Sequence, residues 1–224
     1  ADPALAWDQL LLFFDQADES GAIPDRINDM FKHYCFTKPP IHGWTIMQLI
    51  SKLGADNCIA YVKKLYRPVC QLTDWWYRMR DFDQDGICQY HHGNDSGWDN
   101  ATIFDDGFPI ETPDLSAHLV LQCEGLAEMA RLIGKTAEAQ SWQKRSEQQL
   151  KHLIEHSYRA NRFVSLKDGT HEVASGMSLM NMLPIELGRR LPDDILNKLV
   201  NDLQQEGYWL TPFSLATEAV CSPK

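Results

Sequence analysis

"TPDLSAHLVLQCEGLAEMARLIGKTAEAQSWQKRSEQQLKHLIEHSY", residues 112 to 158, reads as two consecutive helices, and the fold class follows from it. Thr112 and Pro113 supply a capping residue and then a proline at the first helical position. Leu115, Leu119, Leu126, Met129 and Ala130 recur at helical spacing until Gly134. Thr136 opens the second helix, which runs to about Tyr158 with Trp142, Leu150, Leu153 and Ile154 on one side. Upstream, Asp2-Pro3 opens a helix carrying Leu5, Leu12 and Phe13, and Gly21 closes the turn after it. A helix from about Ile41 or Trp44 to Gly54 follows Pro39 and Pro40, and a longer one runs from Asp56 to about Arg80 with Ile59, Val62, Leu65, Val69 and Leu72 in register. Downstream, Arg162 to Val164 reads as extended, and two more helices span about Gly176 to Gly188 and Pro192 to Glu206.

The expectation is a single all-α domain, residues 1–224, of about seven helices joined by loops. "SGMSLMNMLPIEL" (175–187) is apolar on nearly every side, whereas the helix from Thr136 has one apolar stripe and one charged face. Inner and outer layers of helices require such a contrast, and a helix bundle would read the same way.

Composition narrows the partners. The 44% hydrophobic content is that of a globular protein, and 31 acids against 21 bases give a formal charge of −10. That charge repels nucleic acid and anionic membrane surfaces, so a neutral or polar ligand is expected. Cys35, Cys58, Cys70, Cys88, Cys123 and Cys221 form no C-x-x-C pair and read as reduced thiols, which favours a cytoplasmic setting. No run of about eighteen apolar residues and no signal peptide is evident.

Helical periodicity stops after Arg80 and returns at Thr112. A gap of that size inside a compact domain is usually functional or disordered. Phe82, Ile87, Tyr90, Trp98, Ile103, Phe104, Phe108 and Ile110 anchor it, so order is expected. An acid set beside a large aromatic and away from solvent keeps its proton to higher pH. Asp99, next to Trp98 and after Ser96-Gly97, is best placed to be such an acid and to protonate a leaving oxygen, although the residues alone favour the plainer reading that Asp99 or Asp95 caps a turn.

"GNDSGWDN" (93–100) followed by "IETPDLSAHLVLQCEGLAEMARLIG" (110–134) resembles the S-G-W-D stretch and downstream helix of inverting glycosidases with an (α/α)6 barrel. The likeness is to the trehalases and, more closely, to glycoside hydrolase family 63. "QADESGAIPDRI" (16–27) and "KPPIHGW" (38–44) resemble that family's G-x-I-P-D and P-P-x-x-x-W segments, in the same order. The resemblance implies part of an (α/α)6 barrel, about seven of its twelve helices, and hydrolysis of an oligosaccharide or small α-glucoside. Asp99 would be the general acid, and Ser96, Gly97, Trp98 and Asn100 would line the sugar subsite with His92. Trp44 would stand at the barrel mouth, and Trp209 is a weaker candidate for the same place. Asn100, where trehalases carry an aromatic, turns the expectation away from trehalose.

Inversion also needs a second carboxylate about 6.5–9.5 Å from the acid. The family's base is a glutamate beyond a Y-W-R-G-P-type segment, which residues 1–224 do not contain; Glu111 and Asp114 are too near Asp99 in sequence for that role. The expectation is an incomplete catalytic domain lacking its first and C-terminal helices, partnered by the rest of its own polypeptide and without turnover on its own.

"DFDQDG" places Asp81, Asp83, Asp85 and Gly86 as in the first positions of a calcium loop, and resembles the loop with which some family 63 relatives hold calcium. His92 stands where an EF-hand needs glutamate, so the choice is between a structural Ca²⁺ and an Asp-rich turn. No organic cofactor is expected. His91 and His92 lack zinc-type spacing. Trp75-Trp76-Tyr77 suits sugar stacking or helix packing equally, and no G-x-S-x-G supports a serine triad. The rival readings are a non-catalytic sugar-binding protein, which would tolerate loss of Asp99, and a sugar epimerase or isomerase, which would rely on histidine bases.

Overall fold

The computed structural model describes residues 2–222, which divide into two compact units, one of residues 2–80 and 118–149 and the other of 81–117 and 150–222. In chain order the elements are α1 (Pro3–Phe14), β1 (Arg26–Ile27), β2 (Lys32–His33), α2 (His42–Leu53), α3 (Ala55–Met79), β3 (Gln89–Tyr90), α4 (Gly93–Ser96), β4 (Ile110–Glu111), α5 (Pro113–Leu132), α6 (Thr136–Ser157), β5 (Tyr158–Arg159), β6 (Arg162–Phe163), β7 (Leu166–Lys167) and α7 (Asp193–Gln204). One unit boundary follows α3, and the others fall inside α5 and α6.

The first unit is helix on helix. Asp2 caps α1 by accepting from the Ala4 and Leu5 amides, with Pro3 at the first helical position. Trp7 of α1 lies flat on Tyr61 of α3, ring centres 4.9 Å apart. Between α3 and α6, the Tyr66 hydroxyl donates to Glu138 and accepts from the Trp142 indole N–H. Where α2 and α5 cross, Gly43 and Gly125 meet so closely that a Cβ on Gly125 would lie 2.5 Å from the Gly43 Cα. The Gln122 side chain accepts the Gly43 amide at 2.6 Å and donates to Thr73 Oγ1 at 3.1 Å, so the crossing leaves no stranded polar group there. Trp75 and Trp76 are buried and pack edge to face, which assigns them to helix packing.

The second unit is built from turns and short strands. β4 is the centre of a three-stranded antiparallel sheet, pairing Glu111 with Gln89 of β3 and with Leu166 of β7. Ile87, Tyr90, Ile103, Ile110, Leu115, Leu153, Leu166 and Met180 are buried in this unit.

Two expectations change. The stretch read as a helix over 176–188 is buried as expected, but Leu179–Arg190 is a 3₁₀ segment with a non-helical break at Gly188. Pro184 withdraws one N–H from the ladder and Gly188 leaves the helical region at φ 54° and ψ −130°, and the segment keeps the tighter turn. The stretch after Arg80, read as non-periodic, contains the single-turn α4 and two strands, elements too short for periodicity to reveal. Among the described residues, no helix is long and apolar enough to cross a membrane, and all six cysteines are free thiols.

Candidate active site

The sequence H-H-G-N-D-S-G-W-D folds into a turn that explains each of its residues. His92 caps α4, its Nδ1 accepting the Asn94 amide at 3.0 Å. Asp95 reaches back, and its Oδ2 accepts the His91 and His92 amides at 2.9 and 3.1 Å. Ser96 is buried; its hydroxyl donates to the Gly93 carbonyl at 2.7 Å and accepts the Trp98 amide at 2.9 Å. Gly97 closes the helix in the left-handed conformation, φ 78° and ψ 0°. Gly93 is needed for approach: a Cβ there would meet the Asp99 carbonyl oxygen at 2.2 Å.

This turn fixes the backbone of Asp99. Its side chain is a different matter. Asp99 and Asn100 are exposed and Trp98 is only half-buried, so the shelter expected from the Trp98 indole is not provided by this chain. The turn holds the Asp99 main chain against Gly93 and leaves the carboxylate to solvent. His92 is exposed as well, its ring parallel to that of Phe108. Ser96, Gly97, Trp98, Asp99, Asn100 and His92 therefore share one turn of the second unit. Trp44 belongs to the first unit, where it is exposed on α2. Trp209 is buried, on the wall of a cavity of about 250 Å³ in the second unit that Arg162, Asn181 and Tyr208 also line.

A second cluster forms around the D-x-D-x-D-G turn. Asp81 Oδ2 accepts the Gly86 amide and Asp85 Oδ1 the Ile87 amide, while Gly86 takes φ +89°. The free side of the turn faces Glu111 on β4, His156 in the last turn of α6, and Asp168 and His171 just past β7. His156 Nε2 lies 2.6 Å from Glu111 Oε2, and its Nδ1 lies 3.4 Å from Asp85 Oδ2. His171 Nε2 lies 2.8 Å from Asp83, 3.5 Å from Asp85 and 3.8 Å from Glu111. Burial pushes the carboxyl groups of Asp81, Glu111 and Asp168 above the usual carboxylate range; nearby Asp85 adds to this for Asp81 and nearby Asp83 for Asp168, whereas the His156 hydrogen bond opposes it for Glu111. The hydrogen bond to Asp83 holds the His171 imidazole above its ordinary value. Asp114, by contrast, accepts the Tyr90 hydroxyl at 3.0 Å in the core.

The sequence reading reached Asp81, Asp83 and Asp85 but not Glu111, His156, Asp168 and His171 as their companions. The available signal was weak: a histidine closing α6 before a hairpin, and a "KDGTH" turn, each remote in sequence from the aspartates.

The whole chain, residues 1–224, matches the family described as mannosylglycerate hydrolase MGH1-like glycoside hydrolase domain. No match was found among curated proteins. The fold is similar to crystal structures of GH63 mannosylglycerate hydrolase from Thermus thermophilus. The glucose complex superposes with a TM-score of 0.82 at 18% identity, covering 100% of this chain and 69% of that one. The complex with Tris and D-glycerate gives 0.77 at 18%, covering 98% and 73%. The all-α, (α/α)-barrel class expected from the S-G-W-D resemblance is thus the fold class of this chain.

Proposed function

We propose, from the premise that this chain belongs to the mannosylglycerate hydrolase MGH1-like glycoside hydrolase family, that Asp99 is the general acid of an inverting hydrolysis of a small α-glucoside. The observation that carries this reading is the hydrogen-bonded turn from His91 to Asp99. Asp95 and Ser96 are buried in order to hold the backbone, Gly93 receives the Asp99 carbonyl, and an acidic side chain is left presented at the end of a rigid device. A sugar seated over Trp98 would itself cover Asp99 and exclude water, and catalytic contacts of this kind tighten only with substrate in place. The acid then gives its proton to the glycosidic oxygen as the bond to the anomeric carbon breaks, and water attacks that carbon from the opposite face. On this reading the water-activating base is a glutamate not contained in residues 1–224.

The family description favours a second substrate, mannosylglycerate, the one named for the similar T. thermophilus structures. Both are small glycosides, and one assay separates them: the intact enzyme is offered α-glucosides and mannosylglycerate in parallel, with the anomer first released followed by NMR. Asp99→Asn is expected to lower turnover of the preferred substrate by at least about 100-fold. Full activity in that variant, or retention of configuration, would overturn the mechanism. Saturable sugar binding without turnover in the wild type would favour the non-catalytic reading instead.

A further inference from the structure

We propose that Asp85, Glu111, His156 and His171 bind a divalent first-row transition ion of zinc type, a site distinct in donor chemistry from an all-oxygen calcium loop. One donor atom from each of the four lies within 4.8 Å of the others. They arrive from the turn after α3, from β4, from the end of α6 and from the turn after β7, so no local motif accounts for their meeting.

The first argument is charge. Asp81, Asp83, Asp85, Glu111 and Asp168 gather around two imidazoles, and among the described residues the ion pairs of Asp83, Asp85 and Glu111 are all to His156 and His171. Five carboxylates exceed what two histidines neutralise, and a divalent ion corrects the excess. The second argument is an orphaned atom. Glu111 is fully buried; Oε2 is engaged by His156, but Oε1 has no hydrogen-bond partner. A buried carboxylate oxygen left unmatched is costly and calls for an explanation.

The third argument is geometric. Around an ion with bonds of about 2.0–2.1 Å, tetrahedral ligands stand roughly 3.3–3.4 Å from one another. His156 Nδ1 to Asp85 Oδ2 is 3.4 Å, His171 Nε2 to the same oxygen 3.5 Å, and His171 Nε2 to the orphaned Glu111 Oε1 3.8 Å. Binding through Nδ1 turns His156 Nε2 away from the ion, so Glu111 gives up its hydrogen bond to Nε2 as Oε1 moves onto the ion. His171 gives up any Nε2 proton to solvent as the ion arrives and releases its hydrogen bond to Asp83.

Donor type selects the ion. Calcium takes about six to eight oxygens and does not draw imidazole, whereas zinc and its neighbours do. The D-x-D-x-D-G turn contributes one ligand and its charge, and the two histidines set the preference.

The test is calorimetric titration of the chelator-treated, desalted protein with ZnCl₂ and separately with CaCl₂, with CoCl₂ added for its visible spectrum. One equivalent of Zn²⁺ is expected to bind in preference to Ca²⁺, and Co²⁺ should show the intense absorption of a four-coordinate site. His171→Gln, at a half-exposed position, and His156→Gln should each weaken Zn²⁺ at least about 10-fold, with circular dichroism confirming that the variants fold. No Zn²⁺ heat, equal or tighter Ca²⁺ binding, or Zn²⁺ affinity unchanged in both histidine variants would overturn the proposal.

Discussion

The two units bury polar groups of different kinds, chiefly neutral side chains in the first and, in the second, carboxylates as well. In the first, the buried polar side chains at the α2–α5 crossing are neutral and matched: Gln122 serves both the Gly43 amide and the Thr73 hydroxyl. In the second, carboxylates outnumber their partners, and the buried Glu111 keeps an unsatisfied oxygen. The first unit is organised for stability through long helices. The second accepts electrostatic strain at the turns, where it also carries the S-G-W-D motif. The first unit also leaves neutral atoms such as the Trp7 indole N–H and His42 Nδ1 without a hydrogen-bond partner, so what sets the second apart is that its unmatched atom belongs to a buried carboxylate among other carboxylates.

The sharpest way to break this contrast is at the glycines. Gly125→Ala would place a methyl group 2.5 Å from the Gly43 Cα, backbone that cannot swing aside, so the helices must separate. The expected loss is about 3 kcal/mol in denaturant unfolding. Gly107→Ala in the second unit meets no atom within 4 Å but sits at φ +100°, and should cost only about 1 kcal/mol. Equal losses would show that the close approach of Gly125 to Gly43 costs no more to disturb than the open turn at Gly107.

The next expected effect is on pH. The Nδ1 of His42 is shielded from solvent, its ring stands edge-on to Phe14, and burial pulls its pKa down to about 4. A depressed histidine favours the folded state when neutral. Its contribution is therefore complete above the unfolded value of 6.5 and is lost as pH falls toward 4. Unfolding measured across that window should show a loss on the order of 2 kcal/mol, and His42→Phe should flatten it. An unchanged slope in the variant would assign the acid sensitivity elsewhere.

How far the sequence could be read divides along the same line. The helices α1, α2, α3, α5, α6 and α7 declare themselves because apolar residues repeat over three or more turns between proline and glycine breaks, and the edges move by only a residue or two, although the Thr112 hydroxyl expected to cap α5 makes no hydrogen bond. Leu179–Arg190 shows the limit: its hydrophobic content predicts burial correctly, while Pro184 and Gly188 decide the backbone. The S-G-W-D turn was legible as a motif, since its spacing is local, but the exposure of Asp99 depends on what stands over the turn, which no local pattern contains. Glu111, His156 and His171 were illegible as a set, because strands of two residues and a helix terminus bring them to Asp85 from segments tens of residues apart.

The smallest effect tests the electrostatic half of the contrast, and its sign is opposite to that of His42. Asp81, Glu111 and Asp168 have carboxyl groups held above the usual range, first by burial, and a raised acid stabilises the folded state only while protonated. That contribution is present below the ordinary carboxylate value, near about 4, and disappears as pH rises through the folded values. His171, raised chiefly by its hydrogen bond to Asp83, adds a contribution that is complete below 6.5 and lost as pH climbs above it. In chelator-treated protein, amide exchange corrected for its intrinsic pH dependence should therefore quicken over residues 81–87 and 166–172 as pH rises from about 4 to about 8. Over the same rise the amides around His42 should become better protected up to about 6.5. Asp168→Asn should blunt the first trend and leave the second untouched, because it removes one of the crowded charges without touching α2. If both segments instead gain protection together as pH rises, the carboxylates around Glu111 are already neutralised in the folded protein, and the two units do not differ in the way their buried polar groups suggest.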